Sequence, residues 1–161
     1  MGLGKAVLYS LITFVSAISL IVANMLAGML GVDIGSFQFY SVIILVIAVL
    51  MAVCSFIENY YVETKTVVSG VFGLIKHLSY IFWVFYAFQA FTQLTIPASL
   101  LQTLIPGFSS PVVLTLAYDF ILTLIMVSLG VKLVAYLWQI AFYRDIQKRK
   151  ESEFKEIRGK L

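Results

Sequence analysis

The sequence predicts an all-α protein, a four-helix transmembrane bundle with a helical, charged C-terminal extension. Three observations predict it. Hydrophobic residues make up 61% of the chain and charged residues 12%, against about half and about a quarter in ordinary soluble domains. Four apolar segments are each long enough to cross the roughly 30 Å of a bilayer core at roughly 1.5 Å of helix per residue. Most of the charge falls where those segments would end. Four crossings, their connections and a tail use up the 161 residues. The chain therefore divides into a membrane domain, residues 1–143, and a basic cytoplasmic tail, residues 144–161, that continues the last helix.

The first span covers about residues 6–30, because no charge occurs between Lys5 and Asp33. Its apolar run outlasts the ~7–15 residue core of a cleaved signal, so it is read as a retained helix. Ser19, Ala23, Ala27 and Gly31 recur every four residues, a stripe of small side chains that predicts a helix-packing face. Asn24 lies beside that stripe and needs a partner inside the bundle. The second span, about 39–57, is rich in Ile, Val and Leu and closed by Glu58. It is the least polar of the four and is the one expected to turn most readily toward lipid. Cys54 within it reads as a buried, unreactive thiol.

Residues 58–77 gather charges and read as an interfacial connection whose second half turns helical. The third span, about 78–96, places Tyr86, Gln89 and Gln93 at i, i+3 and i+7, on one face. That face should point inward, since an amide left unpaired in hydrocarbon is costly. All three prolines, Pro97, Pro106 and Pro111, follow it. The uncharged stretch between the first two predicts a short helix that sits on lipid, folds back on the bundle or is covered by another subunit. The fourth span covers about 112–134, with Asp119 two turns in and Lys132 near the opposite interface. Beyond it the tail holds seven bases and four acids, with Glu151–Lys155 and Glu156–Lys160 spaced for ion pairs along a continuing helix. Because the bases fall on one side of this arrangement, the positive-inside rule makes both termini cytoplasmic and the protein a multi-pass one.

Two constellations could carry chemistry. Asp119 lies eight residues past Pro111 and Gln89 eight residues before Pro97, so antiparallel neighbours would bring them to one depth. Asn24, Gln89, Gln93 and Asp119 then form an intramembrane polar cluster, either a proton or cation site or a hydrogen-bonded fastening between helices. The fastening is the simpler reading, because a transporter would show more intramembrane polarity or an internal repeat. Glu58, Lys76, His77 and Lys132 are expected at the cytoplasmic interface, as a headgroup or ligand pocket or as weakly paired charges, the latter preferred.

With one histidine and one cysteine, the chain has no residue set for bis-histidine haem, paired-cysteine redox chemistry or an ordinary metal cluster. No catalytic motif is present. The expectation is therefore no enzyme, no cofactor and no metal. The tail carries the whole net charge of +3, which suits contact with anionic lipid, while its interleaved acids argue against nucleic acid. The partners expected are the bilayer and other membrane subunits or copies of the chain. The function these features suggest is a non-enzymatic structural or assembly subunit of a larger membrane complex or a membrane-containing virion. The alternative is a homo-oligomeric channel or a proton- or cation-coupled carrier using Asp119.

Overall fold

A computed structural model describes residues 3–35, 37–64, 66–91, 93–107, 110–115 and 119–158. Helix α1 (Leu3–Met29) is followed by α2 (Phe37–Tyr61), a short 3-10 turn (Val62–Thr64) and α3 (Val67–Ala90). The connection to the last helix contains strand β1 (Gln93–Ile96), helix α4 (Ala98–Leu104) and strand β2 (Val112–Thr115), and α5 (Asp119–Arg158) completes the chain. Four of these helices, α1, α2, α3 and α5, are long and apolar enough to cross a membrane. The short helix expected between the prolines is α4, and the charged tail continues α5 as expected. On that tail the ion pair found at i, i+4 joins Asp145 and Arg149 at 3.0 Å, not Glu151 and Lys155. Glu156–Lys160 lies outside the described side chains.

Two span boundaries are corrected. The third helix runs from Val67 to Ala90 where 78–96 was expected, and the fourth is described from Asp119 where 112 was expected. The cause is a small antiparallel sheet. Residues 93–96 and 112–115 pair with each other, Gln93 opposite Thr115 and Ile96 opposite Val112, and so end the helices on either side. Their β-branched residues favour a pleated surface, and Pro97 and Pro111 bound them where helix cannot be continued. Asp33 joins the same sheet through two backbone bonds to Thr95, of 3.0 and 2.8 Å. The bundle thus has a hairpin end, built by this sheet, and a tail end, where α1 starts and the charged part of α5 leaves.

Helix α1 closes at the hairpin end in a Schellman motif: the Val32 N–H donates to Ala27 O and the Gly31 N–H to Gly28 O, both at 2.9 Å. Gly31 takes a positive φ of 74° there, open to glycine at no steric cost. Gly31 is therefore a helix stop, not part of a packing stripe. Ser19 and Ala23 are exposed, and of the predicted stripe only Ala27 packs against the core. The face of α1 that meets α2 is instead Ala6, Ser10, Thr13 and Ala17, spaced by four, three and four. Ala6 and Ala17 are buried. The Ser10 hydroxyl donates to Ala52 O at 2.9 Å, and the Thr13 and Ser55 hydroxyls bond at 3.1 Å. Small and hydroxyl-bearing residues let two helices approach and bind across lipid-soluble surface.

Helix α2, expected to face lipid, is the middle of the bundle. It packs on both α1 and α3 and buries Phe37, Ile44, Ala48, Met51, Ala52, Cys54 and Ser55. Low polarity did not mark the lipid-facing helix, because the bundle interior is as apolar as the membrane and selects for size and shape. Cys54 is a free, buried thiol as read from its position. Helix α5 packs chiefly on α3.

Candidate functional site

The polar residues of the bundle meet in a cavity of about 680 Å³ among α1, α2, α3 and α5. Its charged wall brings together Glu58, Lys76, His77 and Lys132, the four residues grouped at one interface in the sequence. Two of the four, Lys76 and His77, are on α3. That helix starts at Val67, so Lys76 and His77 lie roughly 14–15 Å along its axis, inside the helix and not at its end. A charge at that depth is expensive unless paired or reached by water.

Pairing is what the structure shows for Glu58. Lys76 donates to its Oε2 in an ion pair, and the Tyr136 hydroxyl donates to its Oε1 at 3.2 Å. One carboxylate therefore ties α2 to both α3 and α5. A helical side chain leans toward its own N-terminus, so Lys76 leans to the tail end of the bundle, where Glu58 sits three residues before the end of α2. His77 is buried and its Nε2 bonds Leu129 O at 3.2 Å, a second tie between α3 and α5.

Glycine makes this junction possible. A Cβ on Gly73 would lie 2.5 Å from the Tyr136 ring and 2.9 Å from Glu58 Oε1; one on Gly70 would lie 2.7 Å from Ile140 Cγ1. Only the missing side chains let α5 come close enough for Tyr136 to reach Glu58. Above the charges the wall is aromatic. Tyr80 stacks on Trp83 with ring centroids 5.7 Å apart, and the Trp83 N–H donates to Ala17 O at 3.1 Å, fastening α3 to α1. Thr13, Ser16 and Gln139 add neutral polar groups to the lining.

In the sequence Tyr80 and Trp83 read as aromatics of the third span and Tyr136 as part of an interfacial belt, and neither they nor Gly73 were read as site residues. The signal was there: Ser69, Gly70, Gly73 and His77, all buried, form a small-residue face on the segment taken for a connection. The other predicted cluster is placed at the hairpin end. Asp119 is exposed in the first turn of α5, where a carboxylate suits the positive end of the helix dipole. Gln89 is exposed one residue before the end of α3, and Asn24 is half-buried on α1. Gln93 is on β1, not on the helix that would align it with Tyr86 and Gln89, and its side chain lies outside the described residues. Asp119 is thus not two turns deep, because the strands take the residues that would have formed those turns.

Among the described residues no group of three His, Cys, Asp or Glu could hold a metal ion. Comparison with known proteins gives no match: no family model fits the chain, and neither a curated protein nor a solved structure is similar to it.

Proposed function

We propose that the protein is a non-enzymatic, multi-pass membrane subunit with a structural or assembly role in a larger membrane complex or a membrane-containing virion, both termini on the cytoplasmic face. The single observation that supports this reading most is the bare side of α5. Phe120, Leu124, Val127, Val131, Val134 and Trp138 are each exposed and follow one another at spacings of four and three. That is the seam along which a second helix packs knobs into holes. The same helix continues beyond its apolar part as a charged rod, offering a partner a grip outside the bilayer as well as within it. The exposed position of Asp119 at the start of α5 gives a carrier built on that residue no comparable support.

The test is native mass spectrometry of the protein extracted from its own source in a mild detergent. The expected result is a mass containing different subunits, lost when Val131 and Val134 are both replaced by Phe. Those substitutions keep the seam apolar but change its shape. A monomer, or a closed ring of identical copies, would sink the reading.

A further inference from the structure

We infer that the cavity among the four long helices binds an anionic amphiphile, with its phosphate or carboxylate headgroup on Lys132 and its hydrocarbon along the aromatic wall of Tyr80 and Trp83. The charge balance of the cavity leads there. Glu58 is the acid of the lining, and Lys76 and Lys132 are its two lysines. Both oxygens of Glu58 are engaged, one by Lys76 and one by Tyr136. Among the described residues Lys132 has no carboxylate partner, so the lining carries one cation in excess. A cation in a low-polarity wall gains most from a single anion brought to it.

Lys132 lines the cavity and is at the same time exposed, so its ammonium is open to a ligand that arrives from outside the bundle. Helix α5 runs from the hairpin end to the tail end, so the Cβ of Lys132 tilts away from the tail end. That tilt is toward the hairpin end, the direction in which Tyr80 and Trp83 follow Lys76 along the cavity wall. The volume of about 680 Å³ is of the size that holds amphiphilic small molecules and lipid parts. The way in is from the side. Ile12, Thr13 and Ser16 of α1 and Ala135 and Gln139 of α5 line opposite walls, and α5 packs chiefly on α3, not on α1. A ligand reaching this site from the bilayer needs a chain as well as a charge.

The full chain carries its own reporter. Trp83 lines the cavity, whereas Trp138 is on the bare side of α5. With Trp138→Phe as background, the protein is placed in phosphatidylcholine vesicles containing a few per cent of either dibrominated phosphatidylglycerol or dibrominated phosphatidylcholine. The expected result is stronger quenching of Trp83 by the anionic lipid, weakened roughly tenfold or more in apparent affinity by Lys132→Gln and retained by Lys132→Arg. Relief of that quenching by millimolar inorganic phosphate would assign the site to the headgroup chemistry alone, and persistence in phosphate would assign it to the whole lipid; both keep the anion on Lys132. Equal quenching by the two lipids overturns the inference, as does an anionic preference that survives Lys132→Gln. Lys5→Gln, at the start of α1, serves as the charge-loss control and should leave the preference unchanged. The outcome is independent of whether a partner subunit covers α5, because the readout comes from the isolated chain.

Discussion

Helices α2 and α5 are both long and uninterrupted, with a long apolar stretch each, yet one is packed between two neighbours and the other is nearly bare. In the apolar stretch of α2, 28% of residues are buried, against 6% in α5. The difference is in what each can bring close. α2 offers Ala48, Ala52 and Ser55 to its neighbours and is met by small residues on α1. α5 packs chiefly on α3, at Gly70 and Gly73. In lipid, apolarity admits a helix to the membrane, but side-chain size decides whether another helix can touch it.

The comparison breaks first at Glu58, which serves both helices. Glu58→Gln should lower unfolding stability by about 3 kcal/mol, since it leaves Lys76 charged within the bundle, measured by denaturant titration in mixed micelles. Adding Lys76→Met should recover most of the loss. A cost below about 1 kcal/mol would reduce the pair to a hydrated surface contact, despite side chains only 14% and 24% exposed. Next is the α5 junction alone. Gly73→Ala should cost about 1–3 kcal/mol by overpacking against Tyr136. Gly130→Ala, on α5 itself with nothing within 4 Å of its added Cβ, should be neutral or stabilise by up to about 1 kcal/mol. Equal effects would mean that the glycines do not set the approach. The smallest effect sharpens the contrast. Ile44→Val in the closed core should cost about 0.5–1.5 kcal/mol, and Val127→Ala on bare α5 no more than about 0.5 kcal/mol in the isolated chain. If the Val127 change costs more in the native assembly than in the isolated protein, a partner covers that side.

The four spans, the short helix between prolines and the helical tail were legible because each rests on a long hydrophobic or charge pattern. The start of α3 was not. Lys76 and the glycines Gly70 and Gly73 make its first half resemble a connection, and their helical role depends on contacts with Glu58, Tyr136 and Ile140 that no local pattern contains. The strands failed to show for a related reason: QLTI and VVLT are four-residue segments, too short for their pattern to tell a strand from a piece of helix. Sequence did gather Glu58, Lys76, His77 and Lys132 into one group. It could not set their position along α3, because the helix start was misplaced. For the cluster of Asn24, Gln89, Gln93 and Asp119 the same kind of error put Gln93 and Asp119 inside spans, where the structure has a strand and the first turn of α5.

The glycine crossing also gives the molecule a mechanical property. With its 40 residues in one helix, α5 is a stiff beam about 60 Å long, held along one stretch by Leu129 on His77, Tyr136 on Gly73 and Ile140 on Gly70. About 17 Å of beam carries those three contacts, with Lys132 among them, and about 27 Å runs on from Ile140 to Arg158. A sideways load on the far end is therefore shared by three contacts, and the stretch that carries Lys132 is clamped against swinging.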